Sequence, residues 1–222
     1  MSVKVSLNES PYRLYLVTDD KQDLTTLKNV VKEAIAGGVT MVQVRQKHED
    51  IRCFIEMALA VKAVLQGSGV PLIINDRVDV ALAINADGVH LGQSDMPADT
   101  ARHLLGKDKL LGLSIENEQQ LIEAESLPVD YLGLSAIFAT ATKTNIKKEW
   151  GIEGLRNAVA QSSFPIVAIG GINMANLEAV IATGVEGVAL VSAICHARSP
   201  KSAARKFRAA MRREHSDYPN VI

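Results

Sequence analysis

Short apolar runs rich in β-branched residues alternate with longer amphipathic segments along most of the chain, and this alternation limits the fold more than any other feature. Apolar runs of about four to eight residues indicate strands, whereas apolar residues spaced three and four apart indicate helices. Runs such as Ile166-Val167-Ala168-Ile169 are apolar throughout, which is typical of parallel strands covered by helices. The alternation therefore predicts a series of βαβ units.

Eight strands and eight helices are predicted in strict alternation. The strands fall at residues 15–18, 39–46, 71–75, 88–91, 110–115, 131–138, 165–169 and 187–191. Helices are predicted from N-cap Asp23 to Gly37, from N-cap Asp50 to Gly67, and near residues 78–86, 97–105, 117–124, 152–160, 176–182 and 203–212.

Eight such units in 222 residues fit a single-domain α/β fold, the closed (β/α)₈ or TIM barrel. We expect the barrel over residues 12–214, with tails at 1–11 and 215–222. A doubly wound open sheet is the alternative fold. That fold usually has a glycine-rich loop after its first strand, where this chain has Thr18-Asp19-Asp20-Lys21.

Composition excludes several classes of function. The chain has 24 Lys and Arg against 25 Asp and Glu, a net charge of −1, so no overall field favours nucleic acid. No apolar run reaches the roughly 18 residues of a membrane span, and the N-terminus lacks a signal-peptide pattern. Cys53 and Cys195 show no metal or redox spacing, which favours a reducing cytoplasm. Small molecules are the expected partners.

Charged side chains follow the predicted strands two, three and four. Because side chains alternate along a strand, Arg45 and Lys47 point the same way and indicate an anion site, with a solvated strand end as the alternative. Asp76 and Asp95 follow the next two strands and suggest Mg²⁺, which takes one or two carboxylates with water and phosphate oxygens. The alternatives are an Asp76–Arg77 ion pair and an Asp95 helix cap.

A second group of polar residues follows the later strands. Thr140 and Lys143 lie in a basic loop after strand six, and Gly170-Gly171 and Ser192 follow strands seven and eight. In TIM barrels the loops after strands seven and eight commonly bind phosphate. The two groups together predict an enzyme that joins two phosphorylated substrates with loss of pyrophosphate. A phosphosugar isomerase would need only the second site.

Five motifs in this order resemble the thiamine-phosphate synthase family: Gln43-Val44-Arg45-Gln46-Lys47, Asn75-Asp76-Arg77-Val78-Asp79, Gly88-Val89-His90-Leu91-Gly92-Gln93-Ser94-Asp95, Phe138-Ala139-Thr140-Ala141-Thr142-Lys143 and Ala168-Ile169-Gly170-Gly171-Ile172. The resemblance covers residues 12–193. It implies a transferase of thiamine biosynthesis, which joins hydroxymethylpyrimidine diphosphate to a thiazole phosphate and releases pyrophosphate through a carbocation.

The resemblance also implies roles for individual residues. Contacts to the pyrimidine diphosphate are implied for Gln43, Arg45, Lys47, Asn75, Ser114 and Lys143. Among these, the implied catalytic residues are Arg45, Lys47, Ser114 and Lys143. Contacts to the thiazole phosphate are implied for Thr140, Thr142, Gly171, Val191 and Ser192. The implied Mg²⁺ ligands are Asp76 and Asp95.

Two other functions remain open at this point. A thiazole tautomerase on the same fold would not need the diphosphate residues, and a sensor of thiamine precursors would bind without turnover. His90 is interpreted as structural rather than as a base, and neither cysteine as a nucleophile. The last predicted helix is expected to pack on the barrel, with a subunit contact, and hence a homodimer, as the alternative.

Overall fold

The computed structural model describes residues 10–47, 50–140 and 149–213. Eight parallel strands close into a barrel in chain order, and β8 pairs with β1. The strands are β1 (Leu14–Val17), β2 (Met41–Val44), β3 (Leu72–Asn75), β4 (Gly88–Leu91), β5 (Leu110–Ile115), β6 (Tyr131–Ser135), β7 (Ile166–Ile169) and β8 (Gly187–Leu190). The predicted single-domain (β/α)₈ barrel is confirmed.

Helices lie outside the barrel between the strands. Over the described residues they are α1 (Leu24–Gly37), α2 (Ile51–Leu65), α3 (Val78–Ala83), α4 (Ala98–Leu105), α5 (Glu118–Ala124), α6 (Gly151–Gln161), α7 (Leu177–Ile181), α8 (Ser192–Cys195) and α9 (Pro200–Arg213). None of the helices in this part of the chain has the length and apolar character needed to cross a membrane.

The apolar core has two parts because strand side chains alternate in direction. On β1, Leu14 and Leu16 belong to the large outer cluster between strands and helices. Tyr15 and Val17 belong to a smaller cluster inside the barrel, together with Tyr131. Both faces of each strand are therefore buried, which explains why the strand sequences are apolar throughout.

Several element boundaries differ from the sequence expectation, and the described residues contain one helix more than the eight predicted. Strand β6 ends at Ser135 rather than at residue 138, and the peptide bond from Ser135 to Ala136 is cis. Helix α8 was not predicted, since four residues are too few to show a helical period. Helix α9 begins at Pro200, a residue favoured in the first helical turn.

The final helix packs on the rest of the chain, as expected. Ala204, Phe207 and Met211 of α9 are buried, and α9 lies against α1. The guanidinium of Arg13 also donates to the carbonyl oxygen of Met211, which links the start of β1 to the end of α9. This apolar face of α9 is thus already covered within one chain.

Both predicted aspartate caps are present at the helix starts. Asp23 accepts from the backbone N–H of Thr26, and Asp50 accepts from the N–H groups of Arg52 and Cys53, both at 2.9 Å. These bonds satisfy donors that have no partner inside the first helical turn. They set where α1 and α2 leave the loops at the C-terminal rim of the barrel.

We predict that Asp50→Ala lowers the free energy of unfolding by about 1 kcal/mol, the usual cost of losing an N-cap. Urea denaturation at neutral pH measures this loss. Glu56→Ala, an exposed change on the same helix, is the matched control and should alter stability by less than about 0.5 kcal/mol. Equal losses in the two variants would contradict the capping role.

Candidate active site

One cavity of about 1170 Å³ opens at the C-terminal ends of the strands. It brings together eleven of the thirteen residues that the sequence assigned to a site: Gln43, Arg45, Lys47, Asn75, Asp76, Asp95, Ser114, Thr140, Gly171, Val191 and Ser192. The other two, Thr142 and Lys143, lie outside the described residues. The strand ends thus meet at one site, as the closed parallel barrel requires.

The two cations at the end of β2 are each held by a carboxylate. The Arg45 guanidinium lies 2.5 Å from Asp20, and the Lys47 ammonium lies 2.6 Å from Asp76. The Asp20 side chain is only 9% exposed, whereas the Lys47 side chain is 42% exposed. Arg45 is therefore the more firmly held of the two, and Lys47 is the more accessible to solvent.

Asp76 is directed to the cavity by an unusual backbone conformation. Its φ is +62°, in the left-handed region that few residues other than glycine adopt. The Asp76 N–H donates to the carbonyl oxygen of His90 on the neighbouring strand at 2.8 Å, which holds the turn. The alternative pairing with Arg77 is wrong, because Arg77 binds Asp79 at 2.6 Å.

Asp95 closes the turn after β4. One of its carboxylate oxygens accepts from the Gly92 N–H at 2.7 Å. The N-cap of α4 is Pro97 and no side chain caps that helix, so the alternative role of Asp95 as a helix cap is wrong. Burial, and then the hydrogen-bonding contact with Asp76, raise the pKa of the Asp95 carboxyl.

This pair of carboxylates fits a magnesium ion. Within the described residues no group of three or more His, Cys, Asp and Glu side chains could enclose a metal. Mg²⁺ does not need such a group, since it binds through one or two carboxylates and keeps water and phosphate oxygens as its other ligands. A cation between Asp76 and Asp95 would also relieve the repulsion that raises the pKa of Asp95.

Asn75 presents an unsatisfied polar group to the same cavity. The residue is 7% exposed, and its side-chain nitrogen has no hydrogen-bond partner among the described residues. A buried donor without a partner is costly, and such groups are rare in folded proteins. An acceptor atom of a bound ligand would satisfy it once the side chain turned towards the cavity that the residue lines.

The opposite side of the cavity is formed by the loops after β6, β7 and β8. Gly171 has φ of +68°, and a Cβ atom there would lie 2.6 Å from the carbonyl oxygen of Ala139. Only glycine fits this close approach. Thr140 lines the cavity, and the N–H of Trp150 donates to the carbonyl oxygen of Ala136 at 3.0 Å.

Comparison with known proteins agrees with this geometry. The family model described as thiamine monophosphate synthase matches residues 14–194. The chain belongs to this family. Thiamine-phosphate synthase of Vibrio parahaemolyticus is 72% identical over 87% of this chain and 95% of its own. The Vibrio campbellii enzyme of the same name is 69% identical, covering 90% and 98%.

A solved structure extends the likeness to three dimensions. Thiamine phosphate pyrophosphorylase from Pyrococcus furiosus superposes with a TM-score of 0.82 at 35% identity, covering 91% of this chain and 96% of its own. The chain is accordingly a transferase of thiamine biosynthesis. These relatives favour the synthase over the tautomerase.

Asp20, Tyr15 and Tyr131 are among the cavity-lining residues that sequence reasoning missed. Asp20 follows β1 and holds Arg45, while Tyr15 and Tyr131 form part of the cavity floor. Two inward-facing tyrosines in apolar strands look like ordinary core residues. Their hydroxyl groups were the available signal, since a buried tyrosine usually finds a hydrogen-bond partner.

The structure supports the expectation that neither cysteine is a nucleophile. Neither cysteine is in a disulfide bond; Cys53 lies on α2 away from the cavity, and Cys195 is buried at the end of α8. Burial raises the pKa of the Cys195 thiol to about 12. Only about one molecule in 10⁴ would then hold a thiolate at pH 8.

We predict that Cys195 in the native protein reacts with Ellman's reagent at pH 8 only as fast as the protein unfolds, because the thiol is buried and protonated. Cys53, which is partly exposed, should react within minutes. Single Cys→Ser variants at each position assign the two signals. Rapid modification of Cys195 in the folded protein would contradict the burial argument.

Proposed function

We propose that this chain joins 4-amino-2-methyl-5-(diphosphooxymethyl)pyrimidine to thiazole phosphate, forming thiamine phosphate and pyrophosphate with the help of Mg²⁺. The main support is that a single cavity contains a cation-and-carboxylate group on β2 to β4 and a glycine-lined rim on β7 and β8. The first suits a diphosphate and the second suits a monophosphate.

The pyrimidine diphosphate is assigned to the side of the cavity formed by β2 to β5. Arg45 and Lys47 supply positive charge there. Lys143 is assigned to the same side as the third positively charged side chain. Asn75 supplies the unsatisfied buried donor described above, while Gln43 and Ser114 supply polar groups at the cavity floor. A ligand with several acceptor oxygens would bind the two cations and accept from Asn75 and Ser114 together.

Asp76 and Asp95 are assigned as the ligands of Mg²⁺, which when bound would neutralise negative charge on the diphosphate. Lys47 contacts Asp76 at 2.6 Å and its side chain reaches the cavity. We propose that its ammonium turns from Asp76 to the diphosphate when the substrate complex forms. Arg45, held by the more buried Asp20, keeps its position.

Chemistry begins at the bond between the pyrimidine methylene carbon and the diphosphate oxygen. The bond electrons leave with the diphosphate, and positive charge remains on the methylene carbon and the aminopyrimidine ring. Arg45, Lys47 and Lys143 stabilise the charge that develops on the leaving group. The thiazole nitrogen then donates its lone pair to the methylene carbon, so no protein nucleophile is needed.

The thiazole phosphate is assigned to the opposite rim. Gly171 lets the backbone approach the phosphate closely, and Val191 and Ser192 begin α8 directly after β8. Thr140 lines the cavity beside them, and Thr142 is assigned to the same substrate. This assignment puts the two substrates on opposite sides of one cavity.

Two wider expectations belong with this proposal. We propose that the enzyme acts in the cytoplasm, a reducing compartment that suits two cysteines outside any disulfide bond. A homodimer stays a prediction, because the structure is that of one chain. A sensor would differ from the synthase in forming no product, and the similarity of the chain to synthase relatives favours the enzyme.

Incubation of the protein with both phosphorylated precursors and Mg²⁺ tests the proposal. We expect thiamine phosphate and pyrophosphate in equal amounts, with no product when either precursor or Mg²⁺ is left out. Chromatography measures the first product and a coupled phosphate assay the second. Binding of both precursors without product would contradict the proposal.

We predict that Asp76→Ala and Asp95→Ala each lower kcat by at least about 100-fold, because each removes a ligand of the ion that stabilises the leaving group. Steady-state kinetics over a range of Mg²⁺ concentrations measures the loss. Asp79→Ala removes a carboxylate three positions from Asp76 that pairs with Arg77 at the surface, and it should retain full activity. Wild-type rates in both site variants would disprove the metal assignment.

We predict that Lys143→Ala lowers kcat by about 100-fold or more while the affinity for thiazole phosphate changes little, because the lysine is assigned to the departing diphosphate. Single-turnover kinetics and direct binding of thiazole phosphate separate the two effects. Lys148→Ala, on the same segment, is the matched control. A pure loss of thiazole affinity would instead assign Lys143 to the other substrate.

A further inference from the structure

A continuous line of hydrogen bonds crosses the barrel beneath the cavity. The Gln43 side-chain nitrogen lies 2.8 Å from the Tyr15 hydroxyl, which lies 3.0 Å from the Tyr131 hydroxyl. The Tyr131 hydroxyl lies 3.0 Å from Nδ1 of His90, and Nε2 of His90 lies 2.9 Å from Oγ of Ser114. Two residues assigned to the pyrimidine substrate, Gln43 and Ser114, are therefore the two ends of this line.

Counting the donor protons shows that the hydrogen bonds in this line all run the same way, from Gln43 towards Ser114. Gln43 donates to Tyr15 through its amide nitrogen. Tyr15 is 1% exposed, and its single hydroxyl proton has the Tyr131 oxygen as its acceptor among the described residues. A buried hydroxyl proton without an acceptor is costly, so Tyr15 donates to Tyr131. Tyr131 then has its own proton available for Nδ1 of His90.

The tautomer of His90 determines that Ser114 is the acceptor in the hydrogen bond between them. An Nδ1 atom that accepts a hydrogen bond has no proton, so the neutral imidazole carries its proton on Nε2. The Nε2–H group donates to Ser114 Oγ at 2.9 Å. Ser114 thus accepts from the protein and keeps its own proton for another acceptor. Ser114 lines the cavity, where a ligand atom can be that acceptor.

Burial keeps the two phenols in the protonated form that the line requires. Tyr131 is fully buried, and burial raises the pKa values of both Tyr15 and Tyr131 well above the usual range. Neither phenol therefore ionises at physiological pH, and each keeps one proton to donate.

A glycine at position 112 leaves space for the contact between His90 and Tyr131. His90, Gly112 and Tyr131 are paired across the neighbouring strands β4, β5 and β6. A Cβ atom on Gly112 would lie 2.2 Å from Cζ of Tyr131 and 2.4 Å from Nδ1 of His90. Any larger residue at position 112 would occupy the space where the histidine and the tyrosine meet.

We propose that Tyr15, Tyr131 and His90 are positioning residues that fix the Ser114 hydroxyl as a donor towards the pyrimidine diphosphate and hold the Gln43 amide with its nitrogen away from that substrate. This inference rests on the proposed function for the identity of the ligand. The direction of the hydrogen bonds does not depend on the ligand and can be measured alone.

The first test is the tautomer of His90 in the free protein, read from the ¹⁵N chemical shifts of its two ring nitrogens. We expect the proton on Nε2 in the wild type. Tyr131→Phe removes one hydroxyl and should produce a mixture of the two tautomers. Tyr12→Phe is the matched control. The Tyr12 ring packs 4.8 Å from that of Tyr131, but its hydroxyl is not part of the line. This variant should leave the His90 tautomer unchanged.

The second test is a double-mutant cycle on the synthase reaction. Tyr131→Phe should lower kcat/KM by about three- to tenfold, the effect of one lost hydrogen bond. In a Ser114→Ala background the same change should cost nothing more, because its effect passes through the serine hydroxyl. Tyr12→Phe should keep wild-type kinetics.

Three results would overturn the proposal: a proton on Nδ1 of His90 in the wild type, an unchanged tautomer in Tyr131→Phe, or additive losses in the cycle. The tautomer measurement uses no substrate. If the wild-type protein makes no thiamine phosphate, the proposed function fails, while the ¹⁵N spectra still decide whether the line has this direction.

Discussion

Closure of a parallel sheet is the constraint on which the site depends. Because all eight strands run the same way and β8 pairs with β1, their C-terminal ends meet at one rim. Lys47, Asp76 and Ser114 are far apart in sequence but line the same cavity. An open sheet would place the ends of β2 and β8 at distant positions. The two sides of the cavity, and the two substrates assigned to them, require the closed ring.

Much of the fold and part of the site could be predicted from the sequence. Strand and helix periods predict the barrel, and the two-residue repeat of β2 predicts that Arg45 and Lys47 share a side. Contacts between distant strands could not be predicted, because they depend on how the ring closes. The Asp20–Arg45 pair and the contact between Tyr15 and Tyr131 are of this kind. The left-handed backbone of Asp76 is likewise set by its bond to β4 and not by its own residue type.

A net charge near zero conceals ordered charge within the cavity. Arg45 and Lys47 are each neutralised by a carboxylate, but the two pairs differ in exposure. An exposed ion pair contributes little to stability, so the Lys47–Asp76 contact can be exchanged for a ligand at low cost. The Arg45–Asp20 pair is more buried, so removing one partner would cost more than at the exposed pair. Exposure thus separates the two cations, and on the proposed function only the exposed one changes partner.

The floor of the cavity shows why polar residues occupy a position that most barrels fill with aliphatic side chains. Tyr15 and Tyr131 belong to the inner apolar cluster, yet their hydroxyl groups are hydrogen-bonded to each other and to neighbouring strands. A buried network in which every member is satisfied is rigid, because rotation of any member would leave a donor or an acceptor without a partner. An aliphatic layer would fill the same volume but would not fix the direction of a hydroxyl proton. The tyrosines therefore give the barrel interior both packing and a defined hydrogen-bond direction, and substrate positioning needs the second as much as the first.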